Sequence, residues 1–417
     1  MKTNGLLQTS ISNFENSAKR LNLNSLIYDS LLYPKERIEC TTVPILTNGK
    51  HCKIKTYLVR HNDALGPSKG GIRMLPDVTL DDITGLAMEM TWKTALIGVP
   101  FGGGKSGICC DSSDMTADDK EIVLRSFTRG VARHIGPEIY IPAPDMGTNE
   151  TDMGHIKDCV AYSKATSITE GCYVTGKPVI LGGIIGRRQA TGSGVAYSVQ
   201  AACDKLGIDM NGCRIVVQGF GNVGSVAASV LADHGAKIIA VSDISAAVFD
   251  PNGIDIESLL NYSDINGNIK GFDNAEIMDS RQMLELDCDV LIPAAAQSQI
   301  NEVNADKIKA KIIAEGANAP TTPQGDEILN EKNVFIVPDI LCNAGGVFVS
   351  YLEYAQETQR EQMALEDVQQ RLFNRMNQKF QQVFDYSVSQ GITMRNAAMD
   401  IAIKTVAQGL TSRGFHP

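Results

Sequence analysis

The sequence predicts a two-domain α/β protein: a mixed N-terminal domain, then a parallel, doubly wound sheet, then a helical C-terminal segment. Three observations carry that prediction. At 417 residues the chain exceeds what one ordinary core organises. From about residue 186 its texture becomes a regular alternation of strand and helix. After Asn343 the apolar residues fall at helical spacing almost to Pro417. Boundaries are therefore expected near residues 185 and 342.

In the first domain, Lys53 to Val59 alternates like a strand, and Glu138 to Ile141 reads as a short strand stopped by Pro142 and Pro144. Between them Thr79 is a natural N-cap with Asp82 three residues on, and Leu80, Ile83, Leu86, Met90 and Ile97 recur at helical intervals. In the second, Arg214 to Gln218 is a strand leading into a glycine turn, a helix from about Asn222 to His234, and a strand from Lys237 to Val241. Apolar runs at Val290 to Ile292, Lys311 to Ala314 and Val334 to Val337 each end in a loop containing Pro or Gly. Leu365, Val368, Leu372, Met376, Phe380 and Val383 form one apolar helical stripe, read as core or subunit contact.

Composition excludes several classes of function. A net charge of −10 without a basic stripe argues against nucleic acid. No apolar run reaches membrane-span length, and the N-terminus lacks the zones of a signal peptide, so a cytoplasmic location is expected. The ten cysteines show no CxxC spacing and the six histidines no ligand spacing near them, so reduced thiols and no metal are expected.

Gly219-Phe220-Gly221-Asn222-Val223-Gly224 matches the dinucleotide fingerprint in the context that gives it meaning, between a strand and a helix. Its glycines allow a tight turn and close approach to a pyrophosphate, which the helix N-terminus favours. Asp243, 19 residues past Gly224, ends the next strand, where a carboxylate can bind the adenosine ribose. The second domain is thus expected to be of Rossmann type. No lysine or arginine follows in Ile244 to Ala247 to offset Asp243 against a 2′-phosphate, which favours NAD. Asn318, in a loop at a strand end, can bond the nicotinamide ribose or simply cap its own turn.

The first domain offers lysines and one acid in unusual settings. Lys69 stands beside Gly70-Gly71, where a ligand can approach the backbone. Lys93 lies one turn past Met90 on an apolar helix stripe, so it should meet an anion. Lys105 sits in Gly102-Gly103-Gly104-Lys105-Ser106-Gly107. An ATP-binding P-loop needs glycine six residues earlier, where Val99 stands. A desolvated lysine among other cations would instead have a lowered pKa suited to base catalysis. Asp145 follows Pro142-Ala143-Pro144, a rigid approach suited to a proton-shuttling carboxylate or to an ordinary turn.

Read together, these segments resemble the glutamate, leucine, phenylalanine and valine dehydrogenase family from about Pro34 to Arg413. The most specific pieces are Lys69-Gly70-Gly71-x-Arg73, Gly102 to Lys105, Pro142 to Asp145 and Asn343-Ala344-Gly345-Gly346-Val347. The resemblance implies a substrate-binding and oligomerisation domain over 1–185, a nicotinamide-cofactor domain over 186–342, and C-terminal helices over 343–417 packing back across the cleft where catalysis occurs. It implies that Lys105 activates water and Asp145 moves protons at the substrate nitrogen. It further implies that Lys93 grips the α-carboxylate beside Met90, and that Thr191 and Asn343 contact the nicotinamide. Arg73 is left as structural. Some members with an acid at the position of Asp243 still take NADP, so Ser242 and Ser245 keep that cofactor open. A homohexamer is also implied.

Lys69 and Ser350 stand where branched-chain and aromatic members are apolar, and Ser350 lies two helical turns past Asn343. Together they suit a side-chain carboxylate, which an apolar substrate would not supply. The expected reaction is therefore L-glutamate to 2-oxoglutarate and ammonium, with a leucine or valine dehydrogenase, or a silent glutamate- or nucleotide-sensing subunit, as alternatives. One departure stands out: Gln189 and Ser193 occupy positions where the family usually has glutamate and arginine.

Overall fold

The computed structural model describes residues 5–113, 115–165 and 171–415. The chain divides into two compact units. The first gathers everything up to Ile185, then Val347–Val368, then the chain from Met399; the second is Gly186–Gly346 with Gln369–Ala398.

The first unit is built on a five-stranded sheet of β1 (Glu36–Thr42), β2 (Ile54–Asn62), β3 (Ser68–Leu75), β4 (Gly102–Cys109) and β5 (Tyr140–Pro144), in the order β1-β2-β4-β3-β5. The first two pairings, β1 with β2 and β2 with β4, are antiparallel, whereas β3 runs parallel to both β4 and β5. Residues of even number on β3 and β4, such as Ile72, Met74 and Ile108, pack with Val123, Leu124, Phe127 and Met153 in one core. On the other face Tyr57, Val59, Val78, Ile83 and Ala87 form a second cluster beneath the Leu80–Ile97 helix. That helix begins where the sequence indicates: the Thr79 hydroxyl accepts from the Asp82 N–H, and the Asp82 carboxylate accepts from the Thr79 N–H.

Two strands differ from expectation. The β5 strand runs through Pro142 and on to Pro144 instead of stopping before them, because it lies at the sheet edge where a missing N–H costs little. The central β4 strand is made of Gly102 to Cys109, half of it glycine. A Cβ on Gly103 would lie 2.1 Å from Thr91 Oγ1 and 2.4 Å from Ala87 O, so glycine is what lets the Leu80–Ile97 helix sit on the sheet.

Buried charge also holds the first unit together. Lys177 Nζ lies 2.7 Å from both Glu353 Oε1 and Glu357 Oε2, with the Lys177 and Glu353 side chains fully enclosed. Glu357 pairs in turn with Lys157 at 2.7 Å, and Glu353 accepts the Gly176 N–H at 2.8 Å. Such a network specifies geometry more than it stabilises, since desolvation offsets most of the Coulomb gain. Farther off, Arg20 pairs with Asp400 at 2.7 Å across 380 residues of sequence.

The second unit holds a seven-stranded sheet of β6 (Arg214–Gln218), β7 (Lys237–Ser242), β8 (Ala247–Phe249), β9 (Glu276–Met278), β10 (Val290–Pro293), β11 (Ile312–Ala314) and β12 (Phe335–Val337). Its order is β12-β11-β10-β6-β7-β8-β9. Five strands are parallel, as the alternating pattern predicts, and the short β8 and β9 add an antiparallel edge that the pattern does not reveal. Strand order reverses between β6 and β10, which makes their carboxyl ends the switch point of a doubly wound sheet.

Candidate active site

Parallel register brings the first unit's polar residues together. Lys69 on β3 lies opposite both Gly103 on β4 and Ile141 on β5. Lys69, Lys105 and Asp145 share one parity with Gly103, whose face is covered by the helix that carries Met90 and Lys93. Lys69, Lys93 and Lys105 are all buried, as is Ser350 on the Gly345–Gln359 helix, whereas Met90 is half-buried.

The Lys105 ammonium is in direct contact with Asp145 Oδ2, and Arg73 Nε approaches the same oxygen at 3.6 Å. Their side chains are nearly enclosed, at 9% exposure for Lys105 and 15% for Asp145. The sequence suggests a lysine among other cations; the contact it makes is to a carboxylate oxygen that Arg73 also approaches. Burial pushes the Asp145 carboxyl up. The charges of Lys105 and Arg73, with hydrogen bonds from Lys105 and the Met146 N–H, outweigh that and hold it below the usual carboxylate range. Asp145 is thereby kept ionised and ready to accept a proton.

Several residues fix this acid. Its Oδ1 accepts the Met146 N–H at 2.7 Å, and its own N–H donates to Thr148 Oγ1 at 2.9 Å. The Thr148 hydroxyl is in turn 2.8 Å from Ile72 O. Neither Thr148 nor the approach of Arg73 was read from the sequence. The spacing of Arg73 from Lys69 could have suggested it, since a parallel β3–β5 pair puts residues 73 and 145 level.

In the second unit the fingerprint forms the turn expected of it. Gly219 has φ +95°, and a Cβ on Gly224 would lie 1.8 Å from Gly219 O. Nothing comes within 4 Å of the space a Cβ on Gly221 would fill, so the turn leaves an open floor that fits a pyrophosphate. Asn222 is exposed beside it and Val223 precedes the helix Gly224–Asp233. Across the switch point a Cβ on Gly219 would meet Ala295 Cα at 2.8 Å. Asn343 Nδ2 donates to Gly316 O and Ala317 O, each at 3.2 Å, and to Asn318 Oδ1 at 3.1 Å. Thr191 stands close by: a Cβ on Gly346 would fall 2.4 Å from its hydroxyl. Asn318, Asn343 and Thr191 thus gather around the carboxyl ends of β11 and β12.

Asp243 lies just beyond β7 and is half-buried. Its Oδ1 accepts the Ser245 N–H and hydroxyl at 2.7 and 2.6 Å and the Ala246 N–H at 3.0 Å, while Oδ2 accepts the Ile269 N–H at 2.8 Å. Oδ1 is therefore saturated by its own turn, and Oδ2 keeps acceptor capacity.

Known proteins resemble this chain in sequence and fold. Residues 34–162 match the Glu/Leu/Phe/Val dehydrogenase dimerisation domain, and residues 182–414 match the Glutamate/Leucine/Phenylalanine/Valine dehydrogenase domain. The chain belongs to the glutamate/leucine/phenylalanine/valine dehydrogenase family. As a member it is an amino-acid dehydrogenase, an oxidoreductase on a nucleotide-binding fold. It is 41% identical over 419 residues to the glutamate dehydrogenase of Thermotoga maritima, covering 100% of both chains. It is 37% identical to the NAD-specific glutamate dehydrogenase of Staphylococcus aureus, covering 99% of each. Among solved structures, the hetero-hexameric glutamate dehydrogenase of Thermus thermophilus in its Leu-bound form superposes with a TM-score of 0.94 at 29% identity, over 100% of this chain and 99% of that one. The Peptoniphilus asaccharolyticus glutamate dehydrogenase superposes with a TM-score of 0.88 at 33% identity, over 99% and 100%. Gln189 precedes the Ala190–Leu206 helix without capping it, and the Ser193 N–H donates to Gln189 O at 3.0 Å.

Proposed function

We propose that the protein catalyses the reversible oxidative deamination of L-glutamate to 2-oxoglutarate and ammonium. The observation that carries this reading is the buried contact between the Lys105 ammonium and the Asp145 carboxylate. An ionised aspartate there can take a proton from the substrate ammonium. A lysine beside it can hold and polarise the water that attacks the α-carbon, then stabilise the oxygen of the resulting carbinolamine. Asp145 then returns a proton to the departing nitrogen. Arg73, drawn to the same carboxylate oxygen, keeps Asp145 charged when Lys105 turns toward the substrate.

Lys93 is suited to the α-carboxylate, with Met90 at the wall. Lys69 and Ser350 are suited to the side-chain carboxylate by charge and by hydroxyl. A leucine or valine side chain offers no acceptor to Lys69 or Ser350, whereas the side-chain carboxylate of glutamate does, which argues against branched-chain specificity.

NAD, when bound, takes up the α-hydrogen and its two electrons. Gly219, Gly221, Asn222, Val223 and Gly224 would hold its pyrophosphate and Asp243 its adenosine ribose. Thr191, Asn318 and Asn343 would hold its nicotinamide end. The relatives named NAD-specific support NAD over NADP. In this reading residues 1–185 form the substrate and assembly domain and residues 186–342 the cofactor domain. Residues 343–417 are the returning helices, and the protein works as a cytoplasmic homohexamer. The test is initial-rate nicotinamide reduction with glutamate, leucine, valine and phenylalanine, each with NAD and with NADP, alongside the mass in solution. Glutamate with NAD should exceed every other pair. Higher kcat/KM for leucine or valine, or no turnover at all, would sink the reading.

A further inference from the structure

Arg395, near the start of the Met394–Arg413 helix, belongs to the second unit and binds an acid at the end of β11. Its Nη1 and Nη2 donate to Glu315 Oε2 and Oε1 at 2.9 and 2.8 Å, a bidentate pair, and its Nε donates to Asp326 Oδ1 at 3.0 Å. Glu315, just past β11, is fully enclosed, so this pair lies where geometry is held tightly. The same Glu315 Oε2 accepts the Asp339 N–H at 2.9 Å, and Arg395 Nη1 stands 3.7 Å from Asp339 Oδ1. Asp339 then reaches across with Oδ2 to accept the Ala319 N–H at 2.8 Å.

The chain of bonds ends on functional ground. Ala319 adopts φ +45°, a left-handed conformation that a residue with a Cβ keeps only when its surroundings impose it. The loop so imposed, Gly316 to Asn318, supplies three acceptors for the Asn343 side-chain amide. The Asn343 N–H is itself bonded to Asp339 O at 3.1 Å. Asp339 thus bonds both the loop that carries Asn318 and the backbone of Asn343, and it is itself bonded by Glu315 and approached by Arg395.

We propose that Arg395 is a positioning residue for the nicotinamide end of the bound cofactor, acting through Glu315 and Asp339 on Asn318 and Asn343. The proposal rests on the reading of Asn318 and Asn343 given under the proposed function. It separates the two ends of the dinucleotide, because the glycine turn that would hold the pyrophosphate is not part of this network.

The test uses the full-length protein with two ligands: NADH, followed by its fluorescence, and ADP-ribose, which has the same adenosine and pyrophosphate but no nicotinamide, followed by calorimetry. Arg395→Gln should raise the Kd for NADH about tenfold, equivalent to about 1.4 kcal/mol, with the Kd for ADP-ribose changed less than about twofold. Asp339→Ala, which leaves the Arg395–Glu315 pair in place, should show the same selective loss and decides the matter if Arg395→Gln does not fold. Equal weakening of both ligands would mean Arg395 only supports the unit as a whole, and an unchanged NADH affinity would mean the loop needs no such support. Either result overturns the proposal. A wild-type protein that binds neither ligand would instead overturn the cofactor reading and this proposal with it.

Discussion

Gly71 and Asp145 touch so closely that a Cβ on Gly71 would lie 2.7 Å from the Asp145 Cβ, and 3.0 Å from Pro144 O. Gly71, in the glycine pair beside Lys69, therefore serves the acid just past the next strand as much as any ligand. Gly71→Ala should displace Asp145 from Lys105 while leaving the fold standing. A shift of about 1 Å at a reacting group costs about 10²-fold, so kcat should fall by that order with the thermal midpoint lowered only slightly. Steady-state kinetics and a melting curve on the same sample check this, and an unchanged kcat would separate the placement of Asp145 from catalysis.

Lys105→Ala removes both the polarised water and the countercharge of Asp145. A single positioned proton-transfer group is worth about 10²–10⁴-fold, so turnover should drop at least that far. NADH affinity should be nearly unchanged, since the fingerprint turn is untouched. Near-normal turnover in the purified variant would remove Lys105 from the mechanism.

Replacing Lys69 by Leu and Ser350 by Val exchanges a carboxylate clamp for apolar surface. The ratio of kcat/KM for glutamate to that for norvaline should fall by on the order of 10³-fold, because a site built for polar groups rejects a substrate lacking them far more strongly than an apolar one does. Competition assays across the two substrates measure the ratio directly. A double variant that keeps the wild-type preference would assign specificity elsewhere.

His61 gives the fold a built-in sensitivity to acid. Its ring is buried against Trp92, with Nδ1 2.8 Å from Thr91 Oγ1, and burial pushes its pKa from 6.5 down to about 4. The unfolded chain thus binds this proton near pH 6.5 and the folded chain only near 4. Between those values the unfolded state holds more protons, so the contribution is complete above pH 6.5 and is lost as pH falls toward 4. The stability difference between wild type and His61→Gln should therefore shrink by about 3 kcal/mol between pH 7 and pH 4. Urea titrations at a series of pH values would show this, and a difference constant with pH would mean that His61 titrates normally.

The sequence reveals most where a signal is local. The Thr79 cap, the strand–turn–helix around Gly219 and the parallel strands after it all follow from residues close together in the chain. It reveals least where fold and chemistry depend on neighbours across a sheet. Four glycines among the eight residues of β4 erase any alternation, because close neighbours leave them no room for a Cβ, Thr91 and Ala87 at Gly103 and Tyr140 at Gly104. Arg73 looks structural until β3 and β5 are known to lie side by side. Asp243 reads as a free ribose ligand, yet most of its acceptor capacity goes to Ser245, Ala246 and Ile269, the last of them 26 residues away. Arg395 carries no signal at all, since Glu315 is 80 residues from it.

The interleaving of the two units bears on how the chain is made. Most domains can begin to close as they leave the ribosome, N-terminal one first. Here the first unit has all five strands of its sheet by Pro144, yet its contacts still call for residues from Met399 onward, and the second unit awaits Gln369–Ala398. Arg20 must idle through the synthesis of some 380 residues before Asp400 exists to meet it. Neither unit is thus complete until translation is nearly over, although the core clusters around the two sheets draw on residues no later than Val174 and Ile336.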